Sequence, residues 1–351
     1  MVSASVATSI APSDKVSLSI SASPHLPWAP LHPLGERSVS SDNELFHPVI
    51  TLPDEIRKER YARLVGLDEV KARLRKEATV LADPSVLTRW AAKHHPNLAT
   101  DDQAFTLLRD RAPLILFAGD VGSGKSALAE SFGCDLAEEM DIEVTLYRLK
   151  LTTRGTGHVG EMTALVGEAF AKVIAEAKLG RSAGGELRGL TVLVIDEADA
   201  LVQSREATQM HHEDRAGVNA FLAGIDDIAG TDIPLLVVMC TNRLAALDPA
   251  VKRRAAVIFE FGRPNDRQRR EVLLNAFAGF DLTDETIDKL VLATGERADG
   301  RPGYTFSDIT QRLVPSVILA AYPDTAITAD LLLAAAEDLK PTPPFNDRAA
   351  S

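Results

Sequence analysis

The middle of the chain alternates between short, continuous apolar runs and longer segments with the apolar spacing of helices. Short apolar runs without polar alternation are typical of strands that are buried on both faces. Their alternation with helical segments is typical of a parallel sheet covered by helices. The pattern therefore predicts an α/β fold with strands at residues 114–118, 142–147, 191–195, 235–240 and 257–261.

Helical spacing also begins before the first of these runs. Acidic residues that follow Pro53 precede apolar residues at Ile56, Tyr61 and Leu64, which is the pattern of a helix start and an apolar helix face. A second helix is predicted at residues 68–82 on the same grounds.

The pattern changes after Pro264, where only helical spacing remains, at residues 266–277, 283–292, 306–321 and 328–339. That length of chain is sufficient for a small all-α domain. We therefore expect an α/β domain at residues 46–263, a helical domain at residues 264–340 and a Pro-rich tail at residues 341–351.

Residues 1–45 are rich in serine and proline and hold few charged residues, which predicts a poorly ordered leader. Within this leader, apolar residues alternate with serines at residues 16–21, the period of a half-buried strand. Such a segment could add a strand to the edge of a sheet, its own or a partner's. A disordered leader is the favoured interpretation.

Residues 119–126 match the pattern Gly-x-x-x-x-Gly-Lys-Ser of a phosphate-binding loop, directly after the first predicted strand. In such loops, backbone N–H groups and the start of the next helix surround the phosphates of a nucleotide. Lys125 is expected to contact the β- and γ-phosphates, and Ser126 to bind Mg²⁺. The predicted ATP-binding residues of the loop are Gly119, Asp120, Val121, Gly122, Ser123, Gly124, Lys125 and Ser126.

Polar residues follow two other predicted strands. Asp196 and Glu197 come after residues 191–195, and Asn242 comes two residues after residues 235–240. Ligands of α/β proteins bind at the carboxyl ends of the strands. We expect Asp196 to hold Mg²⁺ through water and Glu197 to orient and deprotonate the attacking water. Asn242 could position that water or contact the γ-phosphate, although an isolated Asn at a strand end is more often a turn residue.

Together with residues 247–254, these motifs resemble those of an AAA+ ATPase of the AAA proper branch, over residues 60 to about 340. The resemblance implies ATP and Mg²⁺ as cofactors, a P-loop α/β domain followed by a helical lid, and assembly into a ring, usually a hexamer. Val65 and Gly66 fall in a segment that resembles the family's adenine contact, and residues 303–309 resemble its lid turn.

By the same resemblance, Arg253 and Arg254 occupy arginine-finger positions, which reach from one subunit into the ATP site of the next. Residues 156–161 stand where the family has its first pore loop, with His158 replacing the usual aromatic residue. The adjacent His211 and His212 are poorly spaced to bind one metal and are interpreted as a solvated loop.

Within the branch, Arg254 followed by Ala255 and the long connection at residues 179–190 resemble the HORMA-domain remodellers. These are the meiotic checkpoint remodeller and its bacterial relatives in anti-phage signalling. The resemblance implies an ATP-driven, ring-forming remodeller of a protein partner, with a HORMA-domain protein as the candidate. Two alternatives remain at this point: a nucleic-acid-associated AAA+ machine of the clamp-loader or initiator type, and a stand-alone P-loop phosphotransferase.

The net charge and the positions of the cysteines restrict the classes of partner and the compartment that we expect. The formal net charge is −12, which weakens non-specific attraction to nucleic acid and to anionic membranes. No apolar run approaches the roughly 18 residues of a membrane span, and no signal-peptide pattern is present. Cys134 and Cys240 lie in apolar segments, as buried thiols of a reducing compartment do. We therefore expect a cytoplasmic protein with no membrane partner.

Overall fold

Residues 45–98, 102–151, 161–202, 212–280 and 282–345 are described by the computed structural model, and within them six strands form one sheet. The strand order is β1-β3-β4-β5-β2-β6, in which β1 is antiparallel to β3 and all other pairs are parallel. The strands are β1 (Ile50–Leu52), β2 (Leu114–Gly119), β3 (Glu143–Arg148), β4 (Gly189–Ile195), β5 (Leu235–Thr241) and β6 (Val257–Phe261).

Alternate residues of the central strands β2, β4 and β5 face two separate hydrophobic layers. Ile115 and Phe117 of β2 pack into the first layer, whereas Leu114 and Leu116 pack into the second. This two-sided burial explains why the strands are continuous apolar runs in the sequence, and it confirms the predicted α/β fold. The helices of the α/β part are α1 (Glu55–Ala62), α2 (Asp68–Ala82), α3 (Ser85–His94), α4 (Gln103–Arg109), α5 (Lys125–Ala129), α6 (Gly133–Met140), α7 (Glu161–Ala177), α8 (His212–Ile228) and α9 (Pro249–Arg254).

The first predicted helix forms, but one of its three predicted apolar positions, Ile56, does not pack against the core. Ile56 is 78% exposed, and α1 buries none of its residues. Contact with the first hydrophobic layer comes from Tyr61 at the helix end and from Leu64 beyond it. The helix is too short for a full apolar stripe, so it packs through its C-terminal end.

A third hydrophobic cluster lies among the helices that follow β6, with Leu273, Leu290, Ile309 and Leu332 at its centre. The helices are α10 (Asp266–Ala276), α11 (Asp284–Ala293), α12 (Val314–Ala321) and α13 (Ala329–Asp338). This helical content agrees with the predicted helical lid, and we use the term lid for residues 264–340.

The lid helix predicted at residues 306–321 is wrong as a single α-helix. The chain forms a π-helical segment, Asp308–Leu313, before α12 begins. Pro315 lies in the first turn of α12 and has no backbone N–H, so a continuous α-helical ladder cannot pass through this position.

Cys134 and Cys240 are both buried free thiols, as predicted. Within the described ranges, none of the helices is sufficiently long and apolar to cross a membrane.

Candidate active site

The register of the sheet brings the predicted site residues to one edge. Ala118 of β2 is level with Thr241 of β5, and Ile195 of β4 is level with Met239 of β5. The phosphate loop, Asp196 and Asn242 therefore follow the carboxyl ends of three adjacent parallel strands. This is the edge at which α/β proteins bind ligands.

The backbone of the phosphate loop needs glycine at its start. Gly119 has φ +150°, and a Cβ atom there would lie 2.0 Å from the carbonyl oxygen of Phe261 on β6. No side chain can replace the hydrogen without separating β2 from β6. The loop therefore leaves the sheet along a path that only glycine permits.

Lys125 is buried at the centre of this loop. Its Nζ atom donates to the carbonyl oxygens of Gly119 at 3.0 Å and Asp120 at 2.7 Å, and contacts the Ser123 hydroxyl at 3.4 Å. Burial lowers the pKa of Lys125, and the nearby carboxylate of Asp196 opposes that change. The loop therefore fixes the position of the Lys125 ammonium, a charge that can attract an anionic phosphate.

Ser126 lies in the first turn of α5, half-buried, with the orphan N–H groups that begin every helix. Hydroxyl and carboxylate oxygens are the ligands that Mg²⁺ prefers. Ser126 and the half-buried Asp196 therefore have the right chemistry for the metal that the sequence predicts.

Asp196 and Glu197 have different environments. Asp196 accepts the Glu197 N–H at 2.9 Å, whereas the Glu197 side chain is exposed. Glu197 has φ +52°, in the left-handed region that costs a residue other than glycine about 1–2 kcal/mol. Backbone strain of this kind concentrates at functional sites. The turn separates the two carboxylates, as two different roles require.

Asp199 is a residue that the sequence reasoning missed. Its Oδ1 atom accepts the Thr241 hydroxyl at 3.0 Å, and the Thr241 oxygen in turn accepts the Arg243 N–H at 2.9 Å. These bonds join the ends of β4 and β5 and fix the backbone on both sides of the half-buried Asn242. The spacing Asp196-Glu197-Ala198-Asp199, with a third acid after the strand, was the available signal.

The predicted adenine-contact segment lies between the phosphate loop and the lid. Val65 packs against the lid cluster, and the Gly66 carbonyl oxygen accepts the Gln268 side-chain amide at 2.8 Å. A Cβ atom placed on Gly124 would lie 3.8 Å from both Leu64 and Leu67, so the segment also adjoins the loop.

Asp120 and Val121 contribute to the loop in other ways. The Asp120 carboxylate pairs with Arg263 at 2.7 Å and accepts the Val121 N–H at 2.9 Å. The Val121 side chain is exposed. Neither side chain is therefore placed to bind phosphate: the Asp120 carboxylate is paired with Arg263, and the Val121 side chain is apolar.

Both predicted arginine-finger residues lie at the end of α9. Arg254 pairs with Asp226 of α8, whereas Arg253 is exposed and forms no ion pair with any residue that the structure describes. Within the described residues, no contact joins either arginine to the phosphate loop of its own chain. The predicted pore loop with His158, as well as His211 and the leader at residues 1–44, lies outside the described residues.

Comparison with known proteins places this site in a family. The model of the ATPase family associated with various cellular activities (AAA) matches residues 115–263. CD-NTase-associated protein 6 of Escherichia coli (strain MS 115-1) is 53% identical over 308 residues, which cover 87% of this chain and 97% of the relative. The chain belongs to the AAA ATPase family. The predicted family is thereby confirmed, and CD-NTase-associated protein 6 is a homologue.

Two solved structures are also similar to this chain. A chain in the structure of the E. coli MS115-1 HORMA:CdnC:Trip13 complex has a TM-score of 0.82 at 51% identity, covering 87% of this chain and 99% of that one. Trip13 of Rhizobiales has a TM-score of 0.67 at 44% identity, covering 86% and 100%. The similarity therefore extends beyond the residues that the family model matches.

Proposed function

We propose that this AAA protein uses ATP hydrolysis to remodel a HORMA-domain protein partner. The observation that carries the proposal is the 53% identity to CD-NTase-associated protein 6 over 97% of that relative. The similar Trip13 chain of E. coli MS115-1, whose structure was solved together with a HORMA protein and CdnC, supports the same class of partner. A bacterial anti-phage signalling role fits these relatives.

The site residues have different roles in ATP hydrolysis. ATP supplies the phosphoanhydride bond, and Ser126 and Asp196 would hold its Mg²⁺. Lys125, fixed by three oxygens of its own loop, provides positive charge for the phosphates. Glu197, exposed on its strained turn, accepts the proton of the attacking water, and Asn242 orients that water.

The remaining parts of the proposal concern the assembly. Val65 and Gly66, between the phosphate loop and the lid, contact adenine. Arg254, at the C-terminal end of α9, completes the site of a neighbouring subunit in a ring, for which a hexamer is the expected form. A stand-alone phosphotransferase would have no use for such an arginine, and the net charge of −12 disfavours a nucleic-acid machine. A cytoplasmic location fits the two buried free thiols.

The test measures whether ATP and this chain change the structure of the cognate HORMA-domain protein. The readout is the hydrogen-exchange rate of the partner's backbone amides. We expect the wild-type chain with ATP to accelerate exchange in part of the partner. The Glu197→Gln variant should bind the partner and ATP without that acceleration. A partner whose exchange is unchanged by wild-type chain and ATP, or equally changed by the variant, would refute remodelling by hydrolysis.

A further inference from the structure

Arg263 connects three parts of the chain through one guanidinium group. It lies two residues after the end of β6, and its side chain is only 16% exposed. Nε donates to the Asp120 carboxylate at 2.7 Å, Nη1 to the Gly303 carbonyl oxygen at 2.5 Å and Nη2 to the Thr342 carbonyl oxygen at 2.8 Å. Each nitrogen thus bonds to a different element: the phosphate loop, the lid turn and the C-terminal segment.

That C-terminal segment, residues 340–345, is here called the C-terminal strap. Thr342 donates its N–H at 3.0 Å and its hydroxyl at 2.7 Å to the two carboxylate oxygens of Asp308. Asp308 is completely buried in the lid. The first part of the strap is therefore anchored to the lid, although the sequence suggested a tail from residue 341.

The other end of the strap reaches the candidate active site. The Phe345 N–H donates to the Asp120 carboxylate at 3.2 Å, and the Phe345 ring lies 5.6 Å from the guanidinium carbon of Arg243. Arg243 directly follows Asn242. The strap thus crosses from the lid to the phosphate loop and to the end of β5.

The lid itself lies against the phosphate loop at one glycine. The Ser307 N–H donates to the Gly122 carbonyl oxygen at 3.1 Å. A Cβ atom on Gly122, which has φ +72°, would lie 2.8 Å from the Ser307 Cβ atom and 2.9 Å from the Thr305 hydroxyl oxygen. Rotation of the lid therefore has to break or move this contact.

We propose that Arg263 is a positioning residue that, with the C-terminal strap, holds the lid against the phosphate loop through Asp120 and so slows nucleotide release. The inference rests on the proposed function, because it takes residues 119–126 as the nucleotide site. A guanidinium suits the role because its fixed fork of donors bonds to three acceptors at once, whereas a lysine ammonium is a point charge on a flexible stem.

The test is the dissociation rate of a fluorescent ADP from the full-length chain. Asp120→Asn and Arg263→Gln should each accelerate release by about tenfold, and the double variant also by about tenfold, because both changes break the same ion pair, the one between Arg263 and Asp120. Arg263→Lys should resemble Arg263→Gln. Arg297→Gln, the matched control, removes an ion pair with Glu337 inside the lid and should leave release within about twofold of wild type.

A purely structural role for Arg263 would lower thermal stability without accelerating ADP release, and that result would overturn the proposal. Additive effects of about a hundredfold in the double variant would do the same. Should Arg263→Gln fail to fold, Phe345→Pro decides, because proline removes both the N–H that Asp120 accepts and the ring near Arg243, at a residue that is 47% exposed. An unchanged rate of ADP release from that variant refutes the role of the C-terminal strap. A wild-type chain that binds no ADP refutes the proposed function itself.

Discussion

Arg254 and Asp226 form a two-pronged ion pair, in which Nε donates to one carboxylate oxygen at 2.6 Å and Nη2 to the other at 2.8 Å. The hydrogen bonds from Arg254 lower the pKa of Asp226. The side chains are 32% and 54% exposed, so the pair contributes at most about 1 kcal/mol to stability. Its main effect is to fix the direction of the guanidinium at the end of α9.

We predict that Arg254→Ala leaves ATP affinity near wild type and reduces turnover by about 10³-fold or more, the effect of losing an arginine finger. Its free energy of unfolding should change by less than about 1 kcal/mol. Mixing Arg254→Ala with Glu197→Gln subunits should restore part of the activity, because some interfaces then pair an intact Arg254 with an intact Glu197. Steady-state kinetics measure turnover, and chemical denaturation measures the free energy of unfolding.

Arg253→Ala is the comparison on the same helix turn, because Arg253 is exposed and makes no ion pair among the described residues. We expect its loss of turnover to be smaller than that of Arg254→Ala. Wild-type turnover per chain that does not fall on dilution to monomers would contradict a site shared between subunits.

Gly119→Ala should destabilise the protein by about 2–4 kcal/mol, since its Cβ atom would lie 2.0 Å from a backbone oxygen of β6. Gly167→Ala is the control: this glycine is exposed within α7, and its added Cβ would meet no atom within 4 Å. There alanine should stabilise by about 0.5–1 kcal/mol. Equal unfolding midpoints for the two variants would show that the approach of Gly119 to β6 is not a constraint.

Asp308 should make the stability of the lid dependent on pH. Burial alone would raise the pKa of Asp308, but hydrogen bonds from Thr305 and Thr342 and the ion pair with Arg312 lower it below the ordinary value of 3.8. A lowered pKa in the folded state adds stability that is present above about pH 4 and is lost as the pH falls through the folded-state pKa.

Asp308→Asn should therefore be less stable than wild type at pH 7, by about 2–3 kcal/mol. The difference should narrow at pH values below about 4, where wild type loses its ionised carboxylate and the variant does not titrate. Urea denaturation at both pH values measures the gap. A gap that stays constant or widens in acid would contradict the prediction.

The sheet was predictable because its central strands, β2, β4 and β5, are buried on both faces. Five apolar runs such as residues 235–240 needed no tertiary information, and the observed strands begin and end within two residues of them. Strand β1 was missed because it has only three residues and lies at the sheet edge, with Thr51 exposed between Ile50 and Leu52. Three residues are too few to reveal alternation.

The contacts around the site were less predictable, since they join residues far apart in the chain. Nothing near Asp120 indicates that its partner is Arg263, 143 residues later, or that Phe345 also donates to it. A phosphate loop is recognised from local spacing, whereas the lid contact and the strap depend on the folded arrangement of the helices. Local spacing likewise gave no sign that Asp226 holds Arg254.

The most direct test of the account is ATP binding and hydrolysis by Lys125→Ala and Glu197→Gln, measured on the same preparations. Lys125 is expected to hold phosphate and Glu197 to activate water, so the two variants should fail at different steps. We predict that Lys125→Ala retains no ATP, whereas Glu197→Gln retains ATP unhydrolysed. Tight ATP binding by Lys125→Ala, or hydrolysis at the wild-type rate by Glu197→Gln, would contradict the assignment of the active site.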